Sequence, residues 1–154
     1  MRIAIIVGSM VLGLFPLSAL AVDEHIAASP DSLKWGPVPP VFPKGAEVAA
    51  VAGDPGQAGP FVIRLRLPAG YRVQAHTHPI DENVTVISGT FHMGMGEKFD
   101  EAKGTVLATG GFAKLPPGMA HYVWFTEPTI LQVHGVGPFG ITYVNPADDP
   151  SRKN

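Results

Sequence analysis

Glycine and proline punctuate this chain so densely that no stretch beyond roughly its first twenty residues keeps a helical period. Together they make up 34 of the 154 residues, about twice their usual share. Proline removes a backbone donor, and glycine loses the most conformational freedom when ordered, so both break helices. Between the breaks the apolar residues recur with period two. Phe61-Val62-Ile63-Arg64-Leu65-Arg66-Leu67 is apolar at its odd positions and carries arginine at two even ones, the pattern of a strand with one buried face. Disorder does not explain the composition, because 45% of the residues are hydrophobic and only 16% charged, too apolar for an unfolded chain. Short strands joined by tight turns do explain it.

Strands are expected over Ala46–Val51, Phe61–Leu67, Arg72–His76, Asn83–Ser88, Thr90–Met95, Thr105–Ala108, Phe112–Leu115, His121–Thr126, Thr129–His134 and Gly140–Val144. Ser88-Gly89 reads as a hairpin turn between two of them. Lys34 to Pro40 should be extended, since its three prolines forbid a helix. Gly94 to Gly104 is charged and glycine-rich and reads as an exposed loop, and the tail from Asn145 as frayed. The fold class is all-β, closed into a barrel or jelly roll.

The start of the chain reads as an export signal. Arg2 precedes an apolar run from Ile3 to Leu17, and Ala19-Leu20-Ala21 offers a small-x-small cleavage pattern before the polar Val22-Asp23-Glu24. The expected organisation is a signal peptide over 1–21, an extended N-terminal arm over 22–45, a barrel over 46–145 and a tail over 146–154. A periplasmic or secreted location follows, with no membrane attachment after cleavage. What remains is long enough for one domain and too short for two. The net charge of −2 and the lack of a basic stripe argue against nucleic acid as a partner. There is no cysteine, hence neither a disulfide nor a thiolate ligand or nucleophile.

Chemistry concentrates in two turn-bounded runs. Gly70 to Gly89 contains His76, His78 and Glu82, and Gly110 to His121 ends on a histidine just past Pro116-Pro117-Gly118. Residues i and i+2 of a strand face the same side, with Cα atoms about 6–7 Å apart, so His76 and His78 can converge on one ion. Pro79 should bend the chain so that Glu82 enters alongside. Three imidazoles and a carboxylate can hold a divalent transition metal and leave positions open. The same parity places Arg72 and Gln74 beside the two histidines. Val84 and Val86 share a face with Glu82, and Val123 and Phe125 share one with His121, giving an apolar wall. His134 and Gln132 share a face of a late strand, which makes His134 a candidate acid-base or substrate-binding residue. His92 alternates with Phe91 and Met93 and should face away. A copper-carrier reading of Met93 and Met95 is weaker than simple core packing.

The first run resembles the first cupin motif, G-x5-H-x-H-x3-E-x6-G, with Gly70, His76, His78, Glu82 and Gly89 in place. The second resembles the second cupin motif, G-x5-P-x-G-x2-H-x3-N, through Gly110, Pro116, Gly118 and His121; Phe125 stands where the family often has asparagine. The resemblance implies a cupin-type jelly-roll barrel, a double-stranded β-helix. It also implies a metal held by His76, His78, Glu82 and His121, with iron, manganese, nickel, copper and zinc all open as its identity. Two functions remain open: a metal-dependent, dioxygenase-like oxidoreductase acting on a small organic molecule, and a non-catalytic module that binds a small molecule or metal. Cupins are frequently homodimers, and the extended segment Trp35–Pro43 is one that could cross to a neighbour.

Overall fold

In the computed structural model the described residues are 25–153; the expected signal peptide, and with it the localisation it implies, lies outside them. Eleven strands follow one another: β1 (Gly36–Pro37), β2 (Glu47–Ala52), β3 (Gly59–Leu67), β4 (Arg72–Thr77), β5 (Glu82–Ser88), β6 (Thr90–Met95), β7 (Thr105–Ala108), β8 (Phe112–Leu115), β9 (His121–Trp124), β10 (Thr129–Gly137) and β11 (Thr142–Tyr143). They form two antiparallel sheets, ordered β1-β2-β3-β10-β5-β8 and β11-β4-β9-β6-β7. The pairs β3–β10, β4–β9, β5–β8 and β6–β7 are nested one inside the next. A long antiparallel ribbon wound in this way, its pairs falling alternately in the two sheets, is a jelly roll, the double-stranded β-helix. The remaining regular structure is four single 3-10 turns, and among the described residues no helix is long and apolar enough to cross a membrane.

Alternation packs the interior. Phe61, Ile63 and Leu67 of β3, Val84 and Val86 of β5, and Leu131 and Val133 of β10 project from one sheet. Val73 of β4, Phe91 and Met93 of β6, and Phe125 meet them from the other. Close-packed interdigitation of two inner faces is what stabilises such a sandwich.

Two expectations change, the hairpin and the frayed tail. Ser88-Gly89 is not a hairpin turn, because β5 and β6 lie in different sheets. Gly89 is the corner between them, at φ +79°, and a Cβ there would sit 2.6 Å from Thr129 Oγ1 and 2.7 Å from the Pro128 carbonyl oxygen. The loop after β6 is exposed over 96–98 and 101–103, as expected, and it is anchored: Phe99 packs on Tyr122 and Trp124, Tyr122 Oη donates to the Asp100 carbonyl, and Glu101 pairs with Arg72. The tail forms two capped turns, with the Asn145 and Asp149 side chains accepting from the Ala147 and Ser151 amides, as short polar side chains before proline favour.

The Pro-rich segment Trp35–Pro43 lies along its own barrel. β1 pairs with β2, and Val38 and Val41 pack against the core. Tyr143 Oη donates to the Val41 carbonyl (2.9 Å) and Tyr71 Oη to the Pro43 carbonyl (2.7 Å). Arg66 lies over the Trp35 ring, 4.1 Å from its centroid.

Candidate metal centre

β4 and β9 are neighbours with His76 directly opposite His121. β5 brings Glu82 from the facing sheet, and the short Pro79 turn between β4 and β5 carries His78 across the gap. The three histidines are almost completely buried, at 4%, 4% and 1% exposure. Their ring centroids lie 4.2 to 5.3 Å apart, and one nitrogen from each falls within 4.8 Å of the others. Glu82 Oε2 is 3.4 Å from both His78 Nε2 and His121 Nε2.

The rings are oriented by the backbone. His76 Nδ1 donates to the Gln74 carbonyl (2.7 Å), His78 Nδ1 to the Gly140 carbonyl (2.6 Å) and His121 Nδ1 to the Met119 carbonyl (3.0 Å). A carbonyl can only accept, so each Nδ1 carries the proton and each neutral ring keeps its Nε2 lone pair free. Buttressing of this kind fixes tautomer and direction in metal-ligating histidines. His78 Nε2 is buried with no hydrogen-bond partner; at 3.4 Å, Glu82 is at ion-pair distance but outside hydrogen-bond geometry. An orphaned buried acceptor costs about 1–3 kcal/mol, a cost that a coordinated cation would remove. The donor set, its burial and this unpartnered nitrogen all fit a divalent metal.

The electrostatics fit as well. Burial pulls the His76 pKa down to about 3, reinforced by His121 and His78 alongside. Burial also pulls on His78, but the Glu82 carboxylate reverses the effect and leaves it above its ordinary value. Burial opposes ionisation of Glu82, yet the facing His121 and His78 rings, when protonated, outweigh it and hold the carboxyl well below the usual range.

Above the centre lies a cavity of about 450 Å³. Its wall includes Val84, Val123 and Phe125, as the alternation predicts, together with Ile63, Leu131 and Val133 from β3 and β10; Val86 is buried in the core and does not line it. His134 is not among the lining residues. It sits on the opposite face of β10 from Leu131 and Val133, so the structure leaves it apart from the four residues it brings together. Arg72 and Gln74 are also outside, and the reason is a β-bulge. Val73 pairs with Val123 and His76 with His121, so three steps on β4 match two on β9. The extra residue resets the alternation: Val73 and His76 face inward, while Arg72 reaches Glu101 (2.6 Å) on the outer surface. His92 faces outward as expected, its ring centroid 5.2 Å from that of Trp124.

Other contributors carry no sequence signal. The Phe139 ring stacks on His78, 4.5 Å away and tilted by 19°. Val38, Val41 and Phe42 of the N-terminal segment close one side of the cavity. The Gly140 and Met119 carbonyls act through backbone that any residue would supply.

No curated protein matches the chain. Among solved structures it superposes on the polyketide cyclase RemF from Streptomyces resistomycificus with a TM-score of 0.69 and 14% identity, covering 83% of this chain and 91% of that one. A protein from Methylibium petroleiphilum PM1, provisionally assigned as an acetylacetone dioxygenase, gives a TM-score of 0.64 and 20% identity, covering 85% and 88%. An RmlC-like cupin from Shewanella frigidimarina gives 0.56 and 15%, covering 73% and 89%. At these identities the likeness is one of fold. The model of the ChrR cupin-like domain matches residues 23–140, most of the chain. With both sequence motifs meeting at one buried three-histidine centre in a double-stranded β-helix, the chain belongs to the cupin superfamily, in its ChrR cupin-like family.

Proposed function

We propose that this protein is an exported, metal-dependent oxidoreductase of the dioxygenase type, acting on a small organic molecule. The observation that carries the reading is the trio of backbone-buttressed imidazoles, with free Nε2 atoms aimed at one point on the floor of an apolar cavity. His76, His78, His121 and Glu82 would hold the ion. Iron, manganese, nickel, copper and zinc all accept imidazole and carboxylate. Bound there, the ion supplies a Lewis-acid or oxygen-activating centre.

The chain's own residues would do the rest. The apolar wall excludes water, and the Nδ1 hydrogen bonds keep the three rings in a ligating tautomer. Glu82 would supply the charge-bearing ligand. The fold shared with the Methylibium protein, whose provisional activity is dioxygenation of acetylacetone, supports a search among enolisable substrates.

One observation favours the second reading, a non-catalytic binding module. Among the described residues the cavity offers no acid-base group beyond the four at its floor and Asp54 at its mouth. Elemental analysis of protein purified through its native export route, beside His76→Ala/His78→Ala, tests the centre. Near-stoichiometric metal lost in the variant is expected. Oxygen uptake over enols, diketones and catechols, abolished in His121→Ala, would support the enzyme. Ligand-induced stabilisation without turnover would favour the module. No metal in either protein, with none taken up on reconstitution, would end both metal readings.

A further inference from the structure

The cavity is chemically one-sided. Away from His76, His78, His121 and Glu82, its only polar side chain among the described residues is Asp54. Asp54 is exposed at the mouth, and its Oδ1 accepts from the Gly56 amide (2.8 Å). Every other lining side chain is aliphatic, aromatic, proline or glycine. No lysine, arginine, hydroxyl or amide side chain among the described residues faces the space.

Nearby cations are committed elsewhere. Arg64 donates to Gln132, Arg66 to Glu47, Arg72 pairs with Glu101 and Lys114 with Asp81, all on outer surfaces. A carboxylate, phosphate or sugar hydroxyl lying against this wall would be stripped of water with nothing to replace it, a severe penalty for a charge and a substantial one for a hydroxyl. A hydrocarbon group there would gain from leaving water. At about 450 Å³ the space falls in the range of small-ligand pockets.

We propose that the cavity selects a molecule whose oxygen atoms are gathered at one end and whose remaining body is uncharged hydrocarbon, the oxygens meeting the histidine floor and the body filling the wall. This rests on the site reading above and names its substrate class. It excludes sugars, phosphate esters, amino acids and substrates carrying a distal carboxylate.

Four probes share two adjacent phenolic hydroxyls and differ only at the far end: catechol, 4-propylcatechol, 3,4-dihydroxybenzyl alcohol and 3,4-dihydroxybenzoate. Their affinities are measured by titration calorimetry on the full chain, metal-free and metal-loaded. The propyl compound is expected to bind at least about tenfold tighter than catechol, and the benzoate at least about a hundredfold weaker than the propyl compound. The order should be the same in both forms. Benzoate or alcohol binding within about threefold of the propyl compound, or no binding of any probe to the loaded protein, would overturn the proposal.

Metal dependence is a separate readout. The expected ranking without any effect of metal would retain the substrate class and remove the metal reading. Val123→Thr, near-isosteric, places one hydroxyl in the wall. In a variant shown to be folded by circular dichroism, it should narrow the propyl-over-alcohol ratio by about threefold, and an unchanged ratio would locate the hydrocarbon body elsewhere and defeat the proposal.

Discussion

At the scale of single residues, the histidine centre sets opposing protonation preferences side by side. His76 is held near 3 against an ordinary 6.5. Between those values the unfolded chain binds more protons than the folded one, so stability falls as pH drops from 6.5 toward 3. Glu82, displaced downward, adds a loss in the same direction below about 4.5. His78, displaced upward, acts the other way: its contribution is present below 6.5 and fades as pH rises through its folded value. The large His76 displacement should dominate on the acid side. Urea midpoints of metal-free protein are therefore expected to fall steadily from pH 6.5 to 4, and metal to be released over the same range because a protonated imidazole cannot ligate. A flat profile would mean that His76 is not buried in its neutral form. Glu82→Gln keeps the shape but removes the negative charge that lies 3.4 Å from both His78 and His121. Metal affinity, followed by competition with a chromogenic chelator, should weaken by on the order of tenfold or more.

At the scale of elements, one bulge and one corner decide what reaches the site. The extra residue of β4 between Val73 and His76 turns Arg72 outward, where it forms a partly exposed ion pair with Glu101. Arg72→Ala should therefore leave metal content and probe affinity unchanged and cost no more than about 1 kcal/mol in a denaturation curve. A loss of ligand binding would put Arg72 back beside the histidines, as strict alternation predicts. At the β5–β6 corner, Gly89 combines a left-handed φ with the close approach of Thr129 and the Pro128 carbonyl. Gly89→Ala should destabilise by at least about 2 kcal/mol in the same assay, since both strain and collision oppose it. Strand positions were readable because period two and turn chemistry are written in adjacent residues. The bulge was not, because it exists only in the pairing of β4 with β9.

At the scale of the whole molecule, the nested ribbon brings a motif near residue 76 against one near residue 121, while the N-terminal segment closes the cavity from outside the ribbon. Tyr71 and Tyr143 hold that segment by single hydroxyl bonds to the Pro43 and Val41 carbonyls. Tyr71→Phe and Tyr143→Phe should each cost about 1 kcal/mol and accelerate amide exchange at Val38, Val41 and Phe42 while leaving β3 and β10 protected. Equal acceleration throughout the barrel would mean that the segment is an integral part of the core rather than a strap laid over it.

From adjacent residues alone came the strand positions, the all-β class, and the expectation that His76, His78, Glu82 and His121 act together; side-chain alternation and proline-glycine turns are local properties, legible in any window of a few residues. The tertiary structure decided which face Arg72 takes, which sheet follows Gly89, that His134 stands outside the cavity, that the Gly140 and Met119 carbonyls orient two rings, and that Trp35–Pro43 folds back on its own barrel. All but the Met119–His121 contact depend on a partner tens of residues away, and a backbone carbonyl looks the same in every residue that carries it.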